Sequence, residues 1–177
     1  MTKYIALLRG IAPMNPNMRN EKLRGLFEEL GFKNVKTIIS SGNVVFESPQ
    51  TDVPALEAKL EAAFPEKLGF TSTTIIRSQQ QIQDLVDKRP FGDREHSKKT
   101  SLNVTFLKNE PKDLPKTPFT PEGRDYLFVD MSDRAICSVV DTTLNKTPDL
   151  MAWLEKRYGR EITTRTWKTV ERILNTF

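Results

Sequence analysis

Val35-Lys36-Thr37-Ile38-Ile39-Ser40-Ser41-Gly42-Asn43-Val44-Val45-Phe46 decides the fold of this 177-residue chain. Two β-rich runs flank a Ser-Ser-Gly-Asn turn, which predicts a hairpin. On its N-terminal side Leu23, Leu26, Phe27 and Leu30 fall at i, i+3, i+4 and i+7, the spacing of one helix face. Asn17 or Asn20 is placed to cap that helix. Gly31 suits its left-handed end, with Phe32 folding back on Phe27 in a Schellman closure. Further upstream Tyr4 to Arg9 is an apolar run of strand length, ended by Gly10. On the other side Asp52 caps a second helix with Leu56, Leu60 and Phe64 on one face, and Pro65 ends it. Thr73 to Arg77 adds a strand. The resulting order, β-α-β-β-α-β, is the ferredoxin-like split βαβ pattern.

The remainder repeats that build loosely. Ser78 and Gln81 make a capping box for a helix through Leu85 and Val86. Leu102, Val104 and Phe106 alternate as a strand. Residues 108–124 contain Pro111, Pro115, Pro118 and Pro121 and read as irregular loop. Tyr126 to Asp130 and Ala135 to Val140 predict a second hairpin around residues 131–134. Thr147-Pro148-Asp149 opens a helix with Pro at N1; Leu150, Trp153, Leu154 and Tyr158 form its inner face before Gly159. A last helix runs from about Thr166, with Trp167, Val170 and Leu174 on one side. The expected class is α+β: two ferredoxin-like (α/β plait) halves, residues 1–77 and 78–177, the second degenerate. No clear sequence repeat links them.

Composition limits function more than it reveals it. Hydrophobic residues at 37% and charged residues at 28% describe a globular chain. The longest apolar runs fall far short of the roughly 20 residues needed to cross a bilayer. The N-terminal apolar stretch is too short for a signal sequence, and a single cysteine allows no internal disulfide. A cytoplasmic protein without a membrane partner is the expectation. The net charge of +4 is unevenly spread: residues 1–36 hold seven Lys/Arg against three Glu, and residues 155–177 hold six against three. Met18 to Arg24 and Thr163 to Thr169 both read as helix openings carrying Arg and Lys. The positive end of a helix dipole disfavours cations unless an anion sits beside them, so the two stretches point to a phosphate or another anion. Two solvated helix faces are the plainer reading.

The chain resembles a bacterial family catalogued as domain of unknown function 1697. The resemblance rests on Leu8-Arg9-Gly10-Ile11, on Met18 with Leu23-Arg24, and on Gly31-Phe32 with Asn34-Val35. It continues through Ser40-Ser41-Gly42-Asn43-Val44-Val45-Phe46 and ends on Thr164-Arg165 with Trp167, Thr169 and Val170. It implies two ferredoxin-like α/β halves and supplies no activity. This chain departs from the commoner pattern in Ala12-Pro13-Met14-Asn15, where many members have Asn-Val-Gly-Gly. It departs again in Arg165-Thr166-Trp167-Lys168, where Arg-Asn-Trp-Asn is common.

Residues able to carry chemistry are few. His96 is the lone histidine, which excludes a His–His pair and a His-based zinc site, and it reads as a surface-loop residue. Cys137 shares register with Ala135 and Val139 and reads as a buried, inert thiol. Asp125, Asp130 and Asp133 would gather oxygen ligands at the second hairpin, but Asp is also favoured in turns for its local hydrogen bonds. No Walker loop or Gly-x-Gly-x-x-Gly is present, so no metal or cofactor is expected and no catalytic residue is assigned.

The candidate anion ligands are Arg9, Gly10, Arg19, Lys22, Ser41, Gly42, Asn43, Arg165, Trp167 and Lys168. The turn residues would offer backbone donors, or simply make a hairpin. Arg9 ends an apolar strand face, and its guanidinium wants a carboxylate or a bound anion. Trp167 is a core residue, or a platform for a base or sugar. The expected role is non-catalytic binding of a nucleotide, sugar phosphate or nucleic acid. The alternatives are an enzyme acting on an anionic small molecule through Arg/Lys electrostatics, and a structural or oligomerising module.

Overall fold

The decisive hairpin forms from Lys33–Thr37 (β2) and Asn43–Ser48 (β3). The computed structural model describes residues 1–144 and 147–177. The expected first strand stops two residues early, because Ile39 takes a left-handed φ of +57° and leaves the ladder. Asn43 closes the connection: its Nδ2 donates to the Ile38 carbonyl and to Ser41 Oγ, both at 3.0 Å.

Around the hairpin lie Thr2–Leu8 (β1), Asn20–Glu29 (α1), Val53–Ala63 (α2) and Thr74–Ser78 (β4). The antiparallel sheet has the order β2-β3-β1-β4. Each helix thus bridges two parallel strands with a third inserted between them, the split βαβ arrangement. The end of α1 is as expected: the Phe32 N–H donates to the Phe27 carbonyl (3.2 Å) and Gly31 to Glu28 (3.0 Å), with Gly31 at φ +90°. Its start differs. Neither Asn17 nor Asn20 caps it; Arg19 is the N-cap residue and offers no side-chain acceptor, while Asn15 caps a short 3₁₀ turn, Pro16–Met18. Asp52 caps α2 through the Ala55 N–H at 3.1 Å. Pro65 does not end the helical path, which widens into a π-type turn, Phe64–Leu68, closed by left-handed Gly69. Tyr4, Ala6, Leu8, Phe27, Phe46, Leu60 and Ile76 pack in one core on the helix side. A buried Phe is worth roughly 1.5–3 kcal/mol, so Phe27 and Phe46, both fully buried and 5.4 Å apart, anchor it.

Gln79–Asp87 (α3) follows, opened by the expected capping box: the Ser78 N–H donates to Gln81 Oε1 (2.8 Å) and the Gln81 N–H to Ser78 Oγ (3.2 Å). Next come Thr100–Leu107 (β5), Leu127–Ser132 (β6), Ala135–Asp141 (β7), Thr147–Tyr158 (α4), Ile162–Thr166 (β8) and Trp167–Leu174 (α5). The β6–β7 turn is tighter than expected. Only Asp133 and Arg134 lie outside the strands, both at positive φ, as a two-residue type I′ hairpin requires. The second sheet has the order β6-β7-β5-β8, the plan of the first, but no helix joins β5 to β6. That missing crossover helix is what makes the second half degenerate. Residues 145 and 146, just ahead of α4, lie outside the described residues.

The two sheets share one register. Leu8 N–H donates to the Gly42 carbonyl (2.8 Å) and Leu107 to that of Arg134 (2.9 Å); Arg9 donates to Thr73 (2.9 Å) and Lys108 to Glu161 (3.0 Å). Aligned this way, Arg77 on β4 matches Arg165 on β8, both buried. Each guanidinium donates to the carbonyl just before its own residue, at 2.9 and 3.0 Å. Ser78 and Thr166, the caps of α3 and α5, also match. A repeat absent from the sequence is therefore present in the backbone.

By contacts the chain divides into Met1–Asp84 with Arg172–Phe177, and Leu85–Glu171. The division falls inside α3, and the end of α5 belongs to the first unit.

Candidate functional site

The first unit gathers seven of the ten expected anion ligands at one end of its sheet. Strands β1 and β2 run parallel, so the carboxyl end of β1, the amino end of α1 and the β2–β3 turn lie together. Gly42 is buried there at φ +78°, and a Cβ on it would meet Ile11 Cγ1 at 2.6 Å and Leu8 Cβ at 2.9 Å. Its glycine is required by close packing. Asn43 is spent on closing the turn with Ser41. Half-buried Arg9 is held through its backbone, its carbonyl accepting from Ser72 Oγ at 2.8 Å. Gly10, Arg19 and Lys22 are exposed.

The second unit holds the other three, but not on one helix end. Arg165 lies on strand β8, because Ile162, Thr163 and Arg165 pair with β5. It is buried and donates to Thr163 Oγ1 (2.7 Å) and the Thr164 carbonyl (3.0 Å). Burial pulls its guanidinium down to about 10.

Trp167 and Lys168 open α5 and line a surface cavity of about 450 Å³. Half-buried Trp167 meets buried Phe91 edge to face, centroids 5.1 Å apart. Arg89, Arg94 and Lys168 supply positive charge to the lining, Glu95 and Glu171 negative. Arg89 pairs with Asp93 at 3.4 Å. Arg94 and Lys168 form no ion pair among the described residues. His96 also lines the cavity, its Nδ1 accepting the Leu102 N–H at 3.3 Å.

Sequence reading missed Phe91, Arg89, Arg94 and Glu171. The signal was the stretch Arg89-Pro90-Phe91-Gly92-Asp93-Arg94, an aromatic set among arginines. A second cavity of about 620 Å³ in this unit is lined by Phe119 and Trp153. Its arginines are already matched, Arg124 with Asp149 (2.7 Å) and Arg157 with Asp113 (2.6 Å). No cluster of three metal-ligating side chains occurs among the described residues, and no helix among them is long and apolar enough to cross a membrane.

A solved structure similar in fold is the conserved bacterial protein SP0830 from Streptococcus pneumoniae, with a TM-score of 0.74 at 21% identity, over 99% of this chain and 98% of that one. No curated protein matches the sequence. The family model described as protein of unknown function (DUF1697) matches residues 1–126. With that match over most of its length, and with two split-βαβ sheets in place, the chain belongs to the DUF1697 family of proteins of unknown function.

Proposed function

We propose that this protein binds a phosphate-bearing ligand with a flat ring, a nucleotide or a single-stranded nucleic acid, in the Trp167 cavity of the second unit. The observation that carries this reading is the Phe91–Trp167 pair beside two cations, Arg94 and Lys168, that have no ion-pair partner among the described residues. An aromatic platform accepts any base through its π-face, and neighbouring cations take the phosphate.

The internal repeat supports it. Matched positions of β4–α3 and β8–α5 keep their type where structure demands it: Arg77 and Arg165, Ser78 and Thr166, Ile82 and Val170, Leu85 and Ile173. Where it does not, Gln79, Gln80 and Gln83 of α3 correspond to Trp167, Lys168 and Glu171 of α5. The aromatic ring and the charges belong to one half only.

Tryptophan emission tests this in a Trp153→Phe background, where Trp167 alone reports. Nucleotides or a short single-stranded oligonucleotide should quench it, and Lys168→Ala should weaken binding several-fold. Oligonucleotide affinity should fall with salt by roughly 0.7 log units per phosphate contact for each tenfold increase. A sugar phosphate binding as tightly as the matching nucleotide would remove the role of the ring. The absence of any response to all of these ligands sinks the reading.

A further inference from the structure

The two sheets differ most at four adjacent core positions. In the first unit Tyr4 and Phe46 are cross-strand partners on the helix side of the sheet, their rings stacked 5.5 Å apart. Beside them Ala6 pairs with Ile76. The shared register equates these four with Asn103, Ser138, Thr105 and Thr164, again paired as Asn103–Ser138 and Thr105–Thr164. An apolar patch of one core has become a polar patch of the other.

Part of that patch satisfies itself. Thr105 Oγ1 lies 2.7 Å from Thr164 Oγ1, and Asn103 Oδ1 accepts from Ser101 Oγ at 3.1 Å. Asn103 Nδ2 and Ser138 Oγ have no hydrogen-bond partner among the described residues, although their residues are only 4% and 0% exposed. Buried donors left unmatched are costly, so each needs a partner. Flipping the amide only changes which of its atoms is orphaned. Asn and Ser also occupy far less space than the Tyr–Phe pair they replace.

We propose that Asn103 and Ser138 form an internal binding site of the second unit, occupied by an ordered water that bridges Asn103 Nδ2 and Ser138 Oγ. A site with two or more polar partners and room for a water is where one is retained. The occupant is neutral. The same face is completed by Leu107, Ile136, Val140 and Leu154, and an ion among neutral and apolar groups would go uncompensated.

A crystal structure of the full chain tests this directly. The expected result is a density peak within about 2.7–3.2 Å of both atoms. A direct Asn103–Ser138 hydrogen bond, or a dry gap, overturns the proposal. In solution, the Asn103 side-chain amide protons of the full chain should show a cross-relaxation peak to a long-lived water, and its absence counts equally against the site. Ser138→Ala, which takes one partner from the water, should lower the urea midpoint. Asn103→Leu with Ser138→Val removes both polar groups and should restore it. A single variant as stable as wild type would contradict the bridge.

Discussion

Glu57 Oε1 accepts the backbone N–H of Ile76 at 2.9 Å. One turn along α2, Glu61 Oε1 accepts that of Thr74 at 2.8 Å. Both amides belong to β4, the outer strand of its sheet, whose open donors would otherwise template pairing with another chain. Glu57 is itself buried, so the acceptor is fixed in place. Glu57→Ala should orphan the Ile76 amide and cost about 1–3 kcal/mol. Glu57→Gln, which keeps an acceptor oxygen, should cost clearly less. Urea unfolding reads both, and light scattering should show more self-association for the alanine variant.

Gly42→Ala should be far worse than Gly10→Ala. Both glycines have positive φ, but an added Cβ at Gly10 meets nothing within 4 Å, whereas at Gly42 it meets Ile11 and Leu8 below 3.0 Å. The φ strain alone is worth about 1–3 kcal/mol, and the clash adds to it only at Gly42. Melting temperatures should separate the two, at about 2–4 °C per kcal/mol for a chain of this size.

Alkaline pH should destabilise the protein through Tyr126. Burial, with the Asp149 carboxylate adding to it, pushes its phenol up to about 12 from the ordinary 10.0. Between those values the native phenol keeps its proton while the unfolded one has lost it, so stability falls as pH rises through the window. Tyr158 is also shifted up by burial. Absorbance at about 295 nm should therefore show an incomplete native titration at pH 11, completed on adding urea.

Cys137 should be silent in the native protein. It is fully buried, and burial pushes its thiol far above the ordinary range. The thiolate is the reactive form. A thiol-specific disulfide reagent should react with no cysteine under native conditions and with one per chain in denaturant.

The legible parts of this fold were local. The apolar spacing of α1, its Gly31–Phe32 closure, the Ser78–Gln81 capping box and the Asp52 cap all lie within a few residues of what they control. In the sequence, strand β8 resembles the opening of a helix, because its Thr and Arg residues lack an apolar alternation. Its burial comes from pairing with β5, more than fifty residues away. The repeat stayed hidden for a related reason: Tyr4 and Asn103, or Phe46 and Ser138, share a place in the ladder but no chemistry. Trp167 and Lys168 stood out as candidates. Phe91 and Arg94 did not, since only the tertiary fold brings their loop to α5.

The return of Arg172–Phe177 to the first unit sets an order on synthesis. Lys3 Nζ donates to the Phe177 carbonyl at 2.8 Å and Lys36 Nζ to that of Thr176 at 3.2 Å. A ribosome delivers β1 through β4 early, yet these contacts wait until residues 172–177 have followed the whole second unit out of the exit tunnel. The unit whose translation begins first is therefore closed only after the second unit has been made.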